Sequence, residues 1–129
     1  MEVKGSLGKK GYYFLLDTGK RTMFVDEPVE KGGTDLAYNP LELMLSSLAS
    51  CTSITVQMYA KTKGYPLETI DIKVDGTVEA GTGKLLVACD ITLHGPLDEA
   101  QRARLLGIAN RCPVHRILSP QNDIVTRLV

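Results

Sequence analysis

The longest organised pattern in the chain is an apolar run in its middle. Leu41, Met44, Leu45, Leu48, Cys51 and Ile54 recur at overlapping spacings of three, four and seven, the period of an α-helix. Asn39 before Pro40 reads as an N-cap with proline at the first helical position, and Gly64 and Pro66 stop the segment near Lys63. Leu43, Ala49, Val56 and Met58 put apolar groups on other sides of the same helix. A helix apolar on most sides must be surrounded. One sheet covers one flank, so the pattern predicts a second subunit against the other.

On either side of this helix the period shortens to two. Tyr12–Leu16 and Arg21–Val25 read as short strands, with Asp17-Thr18-Gly19 as the turn between them. Ile70, Ile72, Val74 and Val78 alternate with Asp71, Lys73, Asp75 and Glu79, and Leu85, Val87, Cys89, Ile91 and Leu93 share one face beyond a Gly81-Thr82-Gly83 turn. Asp98 and Gln101 form a capping-box pair that opens a second helix running to about Arg111. Cys112-Pro113 interrupts it, Val114–Leu118 forms a further helical turn, and Ile124–Val129 reads as a last strand. The order of strands, helix, strands, helix and strand predicts an α+β fold with a mostly antiparallel sheet. The glycine-rich segment from Lys31 to Asp35 lacks the phosphate-cradling pattern and reads as a connection.

Composition narrows the function. A chain of 129 residues suits one domain, residues 1–129. Fifteen basic against fifteen acidic side chains give a net charge of zero, without the basic excess that nucleic acid or an anionic membrane requires. Five Tyr, two Phe and no Trp leave little for stacking bases. Leu43–Ala60 lacks formal charge over eighteen residues, but seven are polar, so it reads as a helix buried in a soluble protein and not a membrane span. Three cysteines with no apolar leader predict reduced thiols in the cytoplasm.

The cysteines differ by position. Cys89, among Val87, Ile91 and Leu93, reads as a small hydrophobe packed in a strand. Cys112 precedes Pro113 and so sits at a helix N-cap, where amide dipoles and Arg111, His115 and Arg116 favour thiolate; the alternative is that Cys-Pro merely breaks the helix. Cys51 lies mid-helix between Ser50 and Thr52, where burial alone would keep it inert. Cys112-x-x-His115 has no second ligand pair at zinc spacing, so no metal is expected. No GxSxG elbow is present, and His94 before Gly95-Pro96 reads as a surface residue.

Two segments together carry a resemblance. Asn39-Pro40-Leu41-Glu42-Leu43-Met44-Leu45-Ser46-Ser47-Leu48-Ala49-Ser50-Cys51-Thr52 is similar to the central-helix signature of the OsmC/Ohr family, and Asn110-Arg111-Cys112-Pro113-Val114-His115-Arg116 resembles its Cys-Pro-Val turn. The resemblance implies an intertwined homodimer built on antiparallel sheets and two long buried helices, with active sites at the subunit interface. It further implies thiol-dependent reduction of organic hydroperoxides. Cys51 is then the peroxidatic cysteine and Cys112 the resolving one, with an external dithiol, lipoyl-type in some members, as reductant. No cofactor is implied, because sulfur carries the two electrons.

Two departures bear on substrate binding. The family's peroxidases hold the peroxide with an arginine in the early strand-turn region, where this chain offers Lys10 in Gly8-Lys9-Lys10-Gly11. They also carry a glutamate ten residues before the cysteine, where this chain has Leu41 and places Glu42 one position later. At 100° per residue Glu42 lies opposite Cys51 and about 13 Å along the axis. It therefore acts across a dimer or stabilises the helix dipole. These departures keep an alternative open, an OsmC-fold small-molecule binding or stress-related protein with weak or no peroxidase activity.

Overall fold

The computed structural model describes residues 1–119 and Arg127. The chain divides into two compact units, Met1–Met44 and Leu45–Val129.

In the first unit β1 (Lys4–Leu7), β2 (Phe14–Asp17) and β3 (Thr22–Val25) form an antiparallel sheet in the order β1-β2-β3. Lys4 pairs with Asp17, and Asp17 in turn with Thr22. The expected turn is present: the Asp17 carboxylate accepts the Gly19 N–H at 2.6 Å, and the Thr18 N–H donates to the Arg21 carbonyl at 3.0 Å.

The loop after β3 is tied to one side chain. Asp26 is buried, and its carboxylate accepts the backbone N–H groups of Glu27, Thr34 and Leu36 together with the Thr34 hydroxyl. Gly33 is required here, because a Cβ at that position would overlap the Glu27 carbonyl. The segment that reads as a plain connection is thus a loop folded around an anion. Foremost the Thr34 hydroxyl, and then the backbone donors, hold the Asp26 carboxyl below the usual carboxylate range, against an opposing push from burial. A carboxyl lowered in the folded state stabilises the fold above its unfolded value near 4, and that contribution fades as pH falls through the folded value. Asp26→Asn is therefore expected to lower the urea midpoint at pH 7. The gap from the native chain should narrow as pH drops below 4, and a gap constant with pH would contradict this account.

The long helix α1 spans Pro40–Lys63, with its first turn in the first unit and the rest in the second. Its ends follow the sequence closely. The Glu42 N–H donates to the Asn39 side chain at 3.0 Å, and the Asn39 N–H donates to the Glu42 carboxylate at 2.9 Å, a reciprocal capping box. At the other end Gly64 takes a positive φ of 66°. The Gly64 N–H bonds the Lys61 carbonyl and the Tyr65 N–H bonds that of Ala60, a Schellman closure.

In the second unit β4 (Thr69–Val78) and β5 (Leu85–His94) form an antiparallel hairpin in which Ile72 faces Ile91. Beyond it come α2 (Glu99–Ala109) and α3 (Pro113–Leu118). The Asp98–Gln101 capping box forms as expected. The helix ends at Ala109, two residues before Arg111: the Arg111 and Cys112 N–H groups bond the carbonyls of Ile108 and Ala109, three residues back, and Cys112 is extended ahead of Pro113 at φ −62°, ψ 146°. Arg102 donates to the carbonyls of Leu93 and Gly95, tying α2 to the end of β5. The expected strand Ile124–Val129 lies outside the described residues.

The core of this unit joins Val56 and Ala60 of α1 to Leu97, Leu105, Ile108 and Ala109, with Ile70, Ile91 and Leu93 of the hairpin against them. The buried stripe of α1 runs through Leu48, Thr52, Val56 and Ala60, one residue in four. The pattern through Cys51 and Ile54 is therefore displaced round the helix: Ile54 is 59% and Met58 64% exposed in this chain. Leu105 is fully buried at 0% exposure. Leu105→Ala is expected to cost about 2–5 kcal/mol by cavity formation, read as a lower midpoint in urea. A loss under about 0.5 kcal/mol, the scale of ordinary surface changes, would contradict this packing.

Candidate functional site

The three cysteines are free thiols of unequal exposure: Cys112 is buried, Cys51 half-buried and Cys89 exposed. Cys112 is the best-held of them. Pro113 starts α3, so Cys112 becomes its N-cap, and its Sγ accepts the His115 N–H at 3.2 Å. Buried Thr52 of α1 lies on the other side, its Oγ1 3.3 Å from the same sulfur. The sulfur is 0% exposed. An N–H at a helix start and a hydroxyl thus converge on a single thiol.

Thr52 is the residue that the sequence conceals. It reads there as one polar position among seven, yet its hydroxyl links α1 to α3 across sixty residues of chain. Cys51 precedes it on the helix, so the Thr52–Cys112 contact brings the Cys112 sulfur to the turn of α1 that carries Cys51.

Cys89 requires a correction. It shares its strand face with Ile91 and Leu93, as the alternation predicts, but the core reaches only those two. Val87 and Cys89 instead line a cavity of about 230 Å³ with Leu48, Leu85, His115 and Leu118. The packed atoms around its sulfur push the thiol pKa up, and charge on Cys112 and Asp90 pushes it the same way. Cys89 is thus an open neighbour of the Cys112 site, not a core hydrophobe.

The two binding candidates of the first unit stand apart from this cluster in sequence. Lys10 lies exposed in the bend between β1 and β2. Glu42 is engaged in the capping box with Asn39, the helix-stabilising one of its two expected roles. The first unit also holds a mainly apolar cavity of about 410 Å³, bounded by Leu7, Tyr12, Phe14, Leu16 and Leu43 with Asp26 and Glu27 at its edge. His94, as expected, is on the surface, with Nε2 2.7 Å from an Asp71 carboxylate oxygen. Among the described residues no helix is long and apolar enough to cross a membrane.

Residues 32–127 match the family description "OsmC-like protein", three-quarters of the chain and both cysteine segments. The chain belongs to the OsmC-like family. Solved structures agree on the fold. A protein of Psychrobacter arcticus 273-4 named for osmotic stress induction and detoxification response superposes with a TM-score of 0.80 at 21% identity, over 93% of this chain and 89% of that one. An OsmC-like protein of Mycoplasma pneumoniae gives 0.78 at 20% identity, covering 91% and 85%. A Legionella pneumophila protein named as an organic hydroperoxide resistance protein gives 0.71 at 22% identity, covering 92% and 88%. No curated protein matches the chain.

Proposed function

We propose that this OsmC-like protein is a thiol peroxidase that reduces organic hydroperoxides. The observation that carries the reading is the Cys112 sulfur, capping α3 and touching Thr52 beside Cys51. Family membership and the hydroperoxide-resistance name of the Legionella pneumophila structure support it.

In this mechanism the Cys51 thiolate attacks the distal oxygen of the hydroperoxide. The O–O bond breaks, the alcohol leaves after taking a proton, and Cys51 becomes a sulfenic acid. The Cys112 sulfur then displaces its hydroxyl as water and forms the Cys51–Cys112 disulfide. An external dithiol returns both sulfurs to thiols, so the cycle calls for a reducing compartment such as the cytoplasm. An apolar site around Cys51 would favour substrates with hydrocarbon tails over hydrogen peroxide. No cofactor enters the cycle.

A homodimer belongs to the same proposal. Ile54 and Met58 leave an apolar stripe of α1 open in the single chain, and pairing with a second copy would cover it. Light scattering that gives the mass of one chain would remove the dimer.

A second reading, a binding protein with little peroxidase activity, draws support from the 410 Å³ cavity of the first unit and from Glu42 being engaged in a cap. Stopped-flow consumption of cumene hydroperoxide with dihydrolipoamide decides between them. Fast, saturable consumption supports the peroxidase; slow consumption linear in peroxide supports the binding protein.

A further inference from the structure

The buried stripe of α1 would pack without a hydroxyl. Leu48, Val56 and Ala60 are apolar, and Thr52, 3% exposed, stands one turn from both Leu48 and Val56. Valine has nearly the same shape and brings no polar atom to bury. The Thr52 hydroxyl meets the Cys112 sulfur at 3.3 Å, and a thiol is a weak partner that returns little stability. Its contribution is therefore directional. The Cys112 backbone is already tied, its N–H to the Ala109 carbonyl and its carbonyl to the Arg116 N–H, so the χ1 torsion decides where the sulfur points. The His115 N–H draws that sulfur over the start of its own helix, whereas the Thr52 hydroxyl draws it to α1. With Cys112 0% exposed, bulk water competes for neither contact. Cys51 is the preceding residue on α1, its Cα about 3.8 Å from that of Thr52.

We propose that Thr52 is a positioning residue for the second step of the cycle: its hydroxyl holds the Cys112 sulfur against the turn of α1 that carries Cys51 until Cys51 has been oxidised. The proposal rests on the peroxidase reading, in which Cys112 resolves the Cys51 sulfenic acid. In that step the Cys112 sulfur gives up its proton and attacks the Cys51 sulfur. The S–O bond breaks, the S–S bond forms, and the oxygen leaves as water with that proton and the one it already carried. No outside oxidant or reductant enters. A hydroxyl suits the task because it either donates or accepts, and so keeps a partner whether the sulfur holds its proton or has lost it. Turning Cys112 toward Cys51 gives up only two weak bonds to sulfur. A sulfur held close shortens the life of the sulfenic acid, which then meets a second hydroperoxide less often.

Thr52→Val and Thr52→Ser separate the hydroxyl from the packing, because valine keeps the buried methyl and serine keeps the hydroxyl. Each intact chain is mixed with one equivalent of cumene hydroperoxide, with dimedone present to capture sulfenic acid, and acid-quenched at intervals. Cys51 lies between Lys31 and Lys61 and Cys112 between Arg111 and Arg116, so their linkage joins two tryptic peptides and has its own mass. Thr52→Val is expected to form the linkage about tenfold more slowly than the native chain and to raise dimedone-captured Cys51, while the first equivalent of hydroperoxide is consumed at the native rate. Thr52→Ser is expected to form it within about twofold of the native rate, although loss of the buried methyl gives this variant the lower melting temperature of the two. The infrared S–H band of Cys112, read in a chain that also carries Cys51→Ser and Cys89→Ser, is expected to shift with Thr52→Val and to stay in place with Thr52→Ser. Linkage at the native rate in Thr52→Val, or equally slow linkage in both variants, overturns the positioning role and leaves the peroxidase reading standing. An S–H band unmoved by Thr52→Val also overturns it, by rejecting the contact. Neither linkage nor captured sulfenic acid in the native chain removes the peroxidase reading, and the positioning role falls with it.

Discussion

Cys51→Ser is expected to lower hydroperoxide turnover by more than about 10³-fold, because no other thiol on α1 can take up the peroxide oxygen as a sulfenic acid and then release it as water when Cys112 attacks the sulfur. A serine hydroxyl is not ionised near neutral pH and yields no sulfenic acid. The fold should be almost unaffected. Cys51 is half-buried, and serine is already accommodated on this helix: the Ser50 hydroxyl donates to the Ser46 carbonyl at 2.9 Å. A melting temperature within about 3 °C of the native value, roughly the effect of a mild surface change, separates lost chemistry from lost structure. Residual turnover above a tenth of the native rate would assign the first oxidation to another thiol.

Cys112→Ser is expected to allow one oxidation and no more. Serine is among the best N-cap residues, so its hydroxyl can still accept the His115 N–H and α3 should persist. What disappears is the sulfur that closes the cycle. Cys51 should then accumulate as a sulfenic acid or as more oxidised forms, seen in the intact mass as added oxygen atoms. A burst of one alcohol per chain followed by a halt is the kinetic counterpart. Continued turnover with dithiol at the native rate would mean that the reductant attacks the Cys51 sulfenic acid directly and that Cys112 serves only as a cap.

Local chemistry made much of the fold legible before any coordinates. Asn39-Pro40 and Gly64 bound α1, Asp98 and Gln101 open α2, and Cys112-Pro113 starts α3, because each signal acts within a few residues of itself. The two cysteine segments carried the family for the same reason. What escaped depends on contacts between distant residues. Thr52 meets Cys112 only after α1 and α3 have packed, and Asp26 gathers donors from as far as Leu36. Cys89 shows the limit of alternation: period two gives the face of a strand but not how far along that face the core extends. The burial of α1 also followed a four-residue stripe through Thr52, since a hydroxyl can go inside when a sulfur waits to meet it.

That hydroxyl acts as a key in a lock for the rotational setting of α1. Leu48, Val56 and Ala60 would tolerate a helix turned slightly about its axis, because greasy surfaces slide with little directional preference. A single polar tooth does not slide. With successive residues set 100° apart, a twist of one position would carry the Thr52 oxygen away from the Cys112 sulfur and leave it stranded. The azimuth at which Cys51 leaves the helix is thus fixed by its neighbour.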